Sequence, residues 1–149
     1  MEYEQLKLDN QLCFPVYAAS RLITREYQPH LDQLGITYPQ YLVLMVLWET
    51  DGITVNEITN RLILNTNTMT PLLKRMETQG LISRQRSGTD ERKVIVALTP
   101  AGKKLKKAAA AIPEKIAAGL AAGTINIDDL VDLREKLNLL IDLLRKKPV

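Results

Sequence analysis

Cys13 is the only thiol in the chain, and phenols follow it at Tyr17, Tyr27 and Tyr38. A lone cysteine on an apolar helix face is most often a small buried hydrophobe. A chemical reading stands beside that one. Pro15 suits the first turn of a helix, where its missing N–H has no intrahelical partner. Cys13 then lies at the positive end of a helix dipole, which favours thiolate over thiol. Tyr17 is one helical turn on, and its phenol, or those of Tyr27 and Tyr38 across a dimer, can stabilise the charge by hydrogen bonding. Ordinary packing at an interface is the alternative role for these tyrosines. One cysteine cannot close an intrachain bridge, so Cys13 is free, bridged to another molecule, or reactive. If it is oxidised to a sulfenic acid, that product must meet a small thiol, attack a backbone nitrogen, or over-oxidise.

A second set of residues is basic and polar. Thr66, Asn67, Thr68 and Thr70 are small hydrogen-bonding side chains at the start of a predicted helix, suited to base edges or phosphates. Lys74 and Arg75 follow one turn later. Arg84, Arg86, Arg92 and Lys93 crowd the segment beyond, opposed by Asp90 and Glu91. The formal net charge is only +3, so the placement of charge, rather than its sum, points to a polyanion. A charge run taken alone is as well read as a solvated face. Other chemistries find no support: His30, beside Pro29, is the only histidine and reads as a surface residue, and no metal-ligand spacing, Gly-rich phosphate loop or Ser/His/Asp set is present. No cofactor is expected. The N-terminus MEYEQLKLDN is charged where a signal peptide is apolar, and the longest apolar run, Tyr41 to Trp48, is too short to span a bilayer. With a single thiol, the expectation is a cytoplasmic protein without a membrane partner.

The elements that position these residues follow from periodicity and caps. Leu12, Val16, Ala19, Ile23 and Tyr27 recur at helical spacing, with Pro29 expected to kink or interrupt the far end and Gly35 to close the segment. Thr37 caps YPQYLVLMVLWE, apolar on nearly every side and so the central buried helix, with Met45 and Trp48 as core. Thr54 and Glu57 form a capping box for a short helix carrying Val55, Ile58 and Leu62. After Ile63 to Asn65, Thr66 or Asn67 can cap a helix carrying Met69, Leu72, Leu73 and Met76, stopped by Gly80. Two short helices joined by a tight turn make a helix-turn-helix. LISRQRS and KVIVALT then read as a β-hairpin turning at GTDER. Thr99-Pro100 caps an alanine-rich helix that Pro113 should kink. A last helix from Asn126 carries Leu130, Leu133, Leu137, Leu140, Ile141 and Leu144 on one stripe. The expected fold class is mainly α with a small β-hairpin wing, a winged helix-turn-helix. One domain, 1–149, is expected, with the DNA-binding region at 37–99 and dimerisation helices at 1–36 and 100–149. A dimer is what DNA reading requires, because two recognition helices must enter successive major grooves about 34 Å apart.

The run LNTNTMTPLLKRMETQGLISRQRSGTDERKVIVALTPAGKKL, with Asp-x-Arg at Asp90 and Arg92, resembles the MarR family of winged-helix regulators. LDNQLCFPVYAASRLITREY and LGITYPQYLVLMVLWE resemble its organic-hydroperoxide regulator branch, OhrR, in the one-cysteine form. The resemblance implies a homodimeric repressor on double-stranded DNA with an inverted-repeat operator, and a peroxide-sensing cysteine at Cys13 that reacts with organic peroxide and a small thiol. It also implies that Tyr27 and Tyr38 of the partner subunit reach the Cys13 sulfur, with Tyr17 nearby. The recognition-helix entry departs from the family, reading Asn65-Thr66-Asn67 where members often have Asp-Ser-Gly, and this bears on base preference. Two other readings remain: a regulator of the same fold responding to a small aromatic ligand with Cys13 only packing, and a one-cysteine peroxidase, disfavoured because no βαβ pattern is present. The expectation is that the protein is not an enzyme.

Overall fold

The computed structural model describes residues 3–147. Residues 1, 2, 148 and 149, the outer ends of the expected dimerisation segments, lie outside them. The chain divides into two compact units, Met1–Ala110 and Ala111–Val149.

The first unit opens with two 3-10 turns, Glu4–Leu6 and Leu8–Asn10, followed by helix α1, Phe14–Asp32. Cys13 is the N-cap of α1 and Pro15 falls in its first turn, as the proline argument requires. The helix runs on through Pro29 to Asp32, so the expected interruption there is corrected. A proline this near the end removes a single intrahelical bond and the last turn still forms. His30, expected at the surface, is half-buried in that turn beside the buried Leu31.

Helix α2, Tyr38–Glu49, starts on a full capping box between Thr37 and Gln40. It is the central helix: Tyr41, Val43, Leu44, Val46 and Leu47 are buried. Met45 is not core, being 36% exposed: the elements packed on α2 cover its other faces and leave this position open. Trp48 is half-buried, with its indole N–H donating to the Gly102 carbonyl at 3.0 Å.

Strand β1, Ile53–Thr54, leads into helix α3, Val55–Leu62, whose Thr54–Glu57 capping box is present as expected. Helix α4, Thr66–Thr78, follows, and buries Met69, Leu72, Leu73 and Met76. Its cap is Asn65, whose side chain accepts from the Thr68 N–H at 2.8 Å, and not Thr66 or Asn67. Those two are the first helical residues, since only a residue in extended backbone before the first turn can aim its side chain back at that N–H. Gly80, at φ 77°, and the Leu81 N–H bonding back to the Met76 carbonyl close the helix in a Schellman-type stop.

Strands β2, Ile82–Arg86, and β3, Val94–Leu98, form the expected hairpin, in register Arg84↔Val96. β1 adds to the other side of β3 with Ile53 opposite Val96, giving an antiparallel order β1-β3-β2. A two-residue strand has no periodicity to read, so this third strand was not visible in the sequence. Helix α5, Pro100–Ala109, is capped by Thr99. Its Gly102 presses on the joint between α4 and β2: a Cβ there would stand 2.2 Å from the Leu81 carbonyl oxygen.

The second unit holds helices α6, Ile112–Leu120, and α7, Ile127–Arg145. Pro113 does not kink one long helix. It sits in the first turn of a new one, α5 having ended at Ala109, because its ring clashes with the carbonyl four residues back while its missing N–H is harmless at a helix start. α7 begins on a capping box between Asn126 and Asp129 and contains no buried residue. Leu133, Leu139, Leu140, Ile141, Leu143 and Leu144 are all exposed.

Candidate nucleic-acid interface and thiol site

The two halves of the helix-turn-helix are joined at Ile63, which takes φ 55°, ψ 43°. A β-branched residue in the left-handed region is strained by about 1–2 kcal/mol. The strain is tolerated because α3 and α4 both pack on α2 and fix the angle the turn must make. Ahead of α4, the Asn65 cap leaves Thr66, Asn67, Thr68 and Thr70 exposed on its first turns, with Lys74 and Arg75 exposed beyond. Pro71 lies inside α4 and removes the donor that would serve the Asn67 carbonyl, which leaves an acceptor at the reading end of the helix.

The wing tip is tied by short-range bonds. Ser87 N–H donates to the Lys93 carbonyl at 2.8 Å, and Lys93 N–H to the Asp90 carbonyl at 3.0 Å. Asp90 accepts from both the Arg92 backbone N–H (3.0 Å) and Arg92 Nε (3.3 Å) through one carboxylate oxygen. Arg92 is nevertheless 92% exposed, so the pair orients a cation that solvent or phosphate can reach. Arg86 donates to the Glu91 carbonyl at 2.7 Å, and Lys93 is exposed.

Arg84 is placed differently from the rest. Its guanidinium and its backbone N–H both donate to the Glu77 carboxylate, at 3.2 and 3.1 Å. The hydrogen bond from Arg84 holds the Glu77 carboxyl below its ordinary value. Sequence reasoning set only Asp90 and Glu91 against the basic cluster and missed Glu77, which reaches Arg84 only through the turn at Gly80. Between α3, α4 and the wing lies a cleft of about 500 Å³ whose walls include Thr70, Arg84, Arg92 and Lys93.

The thiol site is split within the chain. Cys13 is free and exposed at the start of α1. Tyr17, one turn on, is 63% exposed, with Arg21 stacked 5.5 Å from its ring centre. Tyr27 and Tyr38 are brought together by the packing of α1 on α2, their ring centres 5.0 Å apart, and Tyr41 completes the cluster at 5.9 and 6.2 Å. Burial raises all three phenols above their ordinary value, and for Tyr38 and Tyr41 the neighbouring phenols add to it. These phenols therefore stay protonated, and remain donors, well into the alkaline range. They cannot serve the Cys13 of their own chain: Tyr27 is fourteen positions on from Cys13 along α1, about 21 Å along the axis.

Among the described residues no group of acidic, histidine or cysteine side chains is placed to hold a metal ion. No helix there is long and apolar enough to cross a membrane.

Helix-turn-helix, hairpin wing and polar helix entry define the molecule as a winged-helix regulator. The family description Transcriptional regulator SarA/Rot matches residues 25–109. The organic hydroperoxide resistance transcriptional regulator of Bacillus subtilis (strain 168) is 47% identical over 98% of this chain and 97% of its own. Among solved structures, reduced AbfR of Staphylococcus epidermidis bound to DNA is 40% identical and superposes with a TM-score of 0.78, covering 98% of this chain and 100% of that one. The disulfide-formed state of AbfR, also 40% identical, covers 97% and 96% and gives 0.63. The chain belongs to the MarR-type winged-helix transcriptional regulators, in the branch of the organic-hydroperoxide regulators.

Proposed function

We propose that this protein is a homodimeric, cytoplasmic DNA-binding repressor that leaves its operator when Cys13 is oxidised by an organic peroxide. It turns over no substrate. The observation that carries the reading is the position of Cys13, exposed at the N-cap of α1 with no second thiol in the chain, in a family whose relative is named for organic hydroperoxide resistance.

The exposed leucines of α7 in one unit, and the exposed Leu6, Leu8, Leu12 and Phe14 at the N-terminal end of the other, each support a dimer, because such apolar residues on a stable protein need a partner. The span of α1 supports the same conclusion: if Tyr27 and Tyr38 are to hydrogen bond the Cys13 sulfur, they come from the other subunit. The recognition residues are Thr66, Asn67, Thr68, Thr70, Lys74 and Arg75 on α4. Arg86, Arg92 and Lys93 on the wing face the phosphates, with Asp90 orienting Arg92.

The Cys13 thiolate attacks the peroxide, giving Cys13 sulfenic acid and, with one proton, the alcohol. A small thiol then displaces water to form a mixed disulfide. AbfR has been observed on DNA both reduced and overoxidised, and its disulfide-formed state is the one this chain superposes on less well. The mixed disulfide is accordingly the releasing product assigned to this one-cysteine chain. Its bulk enters a packed interface that absorbs it only by moving the recognition helices off successive major grooves.

The test is footprinting of the region upstream of its own coding sequence with the parent and Cys13→Ser, with and without cumene hydroperoxide and a small thiol. The parent should be released and the serine variant should stay bound. Equal release of both would sink the redox reading.

A further inference from the structure

Glu77 is the one acidic residue of helix α4, on an element whose exposed residues otherwise include Lys74 and Arg75. A carboxylate close to DNA repels phosphate, so its presence there calls for a compensating gain. The gain is visible in its partner. Glu77 lies at the end of α4 and accepts two bonds from Arg84 in the middle of β2, one from the backbone N–H at 3.1 Å and one from the guanidinium at 3.2 Å. Two bonds from one residue to one carboxylate fix both the distance and the rotation of the strand against the helix.

Arg84 itself is turned inward. Its side chain is 25% exposed against 92% for Arg92, and its Nε is buried without a partner. A guanidinium free to meet phosphate would present its fork outward. The turn at Gly80 is held separately, by the Leu81 N–H on the Met76 carbonyl and by the Thr99 hydroxyl donating to the Gly80 carbonyl at 2.6 Å, but these bonds lie at the base of the wing, whereas the Glu77 pair grips β2 at its middle.

We propose that Glu77 is a positioning residue for DNA reading. It clamps Arg84, and with it strand β2, to the recognition helix, so that helix and wing meet the duplex as one piece, and Arg84 neutralises no phosphate. This rests on the DNA-binding reading above and adds to it a division of labour among the wing cations. Arg92 and Lys93 supply charge, whereas Arg84 supplies register.

Two electrostatic expectations have opposite signs here, which makes the proposal testable. Affinity and its salt dependence are measured for the parent, Glu77→Gln and Arg84→Met on a duplex carrying the footprinted operator and on an unrelated duplex of equal length. If Glu77 positions the wing, Glu77→Gln binds the operator about fivefold more weakly, a change of the size one partly exposed ion pair contributes, even though a negative charge has been removed. Its affinity for the unrelated duplex is unchanged or higher, so the ratio between the two duplexes falls. Arg84→Met loses the same ratio while the slope of log affinity against log salt stays that of the parent.

Glutamine retains an acceptor for the Arg84 N–H, and thermal melting confirms that the variant is folded. Should it not fold, Arg84→Lys decides the matter. It keeps the charge but not the fork, so operator preference falls if Arg84 positions the wing and stays with the parent if Arg84 only meets a phosphate. The proposal is overturned if Glu77→Gln tightens both duplexes equally, or if Arg84→Met lowers the salt slope by about 0.9 on both, the signature of one lost phosphate contact. A parent that binds no duplex at low salt overturns the DNA-binding reading itself, and this assignment with it.

Discussion

Replacing Gly102 by alanine should loosen the joint on which the reading head depends. The added Cβ would stand 2.2 Å from the Leu81 carbonyl oxygen and 3.3 Å from its carbon, and both are backbone atoms that cannot rotate away. Helix α5 must therefore lift off the α4–β2 corner. Overpacking of this kind costs about 1–3 kcal/mol. The lift also disturbs two bonds at the same place: Thr99 N–H to the Leu81 carbonyl at 3.1 Å, and Trp48 Nε1–H to the Gly102 carbonyl at 3.0 Å. Each such bond contributes about 0.5–1.5 kcal/mol. The expected loss is then about 2–6 kcal/mol, a large part of the roughly 5–15 kcal/mol a domain of this kind holds. Trp48 is the only tryptophan and one partner in the joint, so urea unfolding followed by its fluorescence reports the site directly. The midpoint should fall markedly, and the native emission should shift as the indole loses its acceptor. A midpoint and emission equal to those of the parent would refute the reasoning, because no flexible side chain is available to absorb the clash.

Arg92→Ala should weaken operator binding and lower the salt slope by about 0.9 without changing the melting temperature, since the side chain is 92% exposed and, among the described residues, pairs with Asp90 alone; an unchanged dissociation constant would remove Arg92 from the interface. Tyr27→Phe and Tyr38→Phe should still bind DNA but respond more slowly to peroxide, measured as the rate of release, having lost the phenolic donors. The same variants test the alkaline limb of stability. Phenols held protonated by the fold contribute stability that is fully present below pH 10 and is lost as pH rises through their raised folded values. The parent should therefore lose melting temperature above about pH 10 more steeply than either variant, and parallel curves would contradict the burial argument.

Much of this architecture was legible in the sequence because it is written in local chemistry. Thr37, Thr54, Thr99 and Asn126 each announce a helix through a side chain that bonds an N–H within three residues, and Gly80 announces a stop through the φ it alone adopts freely. Pro15 put Cys13 at a helix start for the same kind of reason. The basic wing and the polar entry of α4 were visible as runs, and the family resemblance rested on those runs and on the segment around Cys13.

What the sequence could not settle were relations between residues far apart along the chain or without a local signature. Nothing local says that Ile63 must take a left-handed conformation. The packing of α3 and α4 on α2 imposes it. The same absence of local signal hid the strand at Ile53, which exists only because Val96 is there to pair with it. Met45, Pro29 and Pro113 depart from what their local sequence implies because a residue's burial and a proline's effect depend on neighbours and on distance from a helix end.

The division is sharpest at the two candidate sites. Residue types and spacing determined by themselves that this chain has one thiol near a helix start and a cluster of cations beyond a helix-turn-helix. Only the tertiary structure decided which of those groups are available. It turned Arg84 toward Glu77 while leaving Arg92 in solvent, and it packed Tyr27 against Tyr38 some 21 Å of helix away from the Cys13 of the same chain. The physical reason is range: caps, turns and periodicity act within about one helical turn, whereas exposure, ion pairing and desolvation are set by whatever the fold brings alongside.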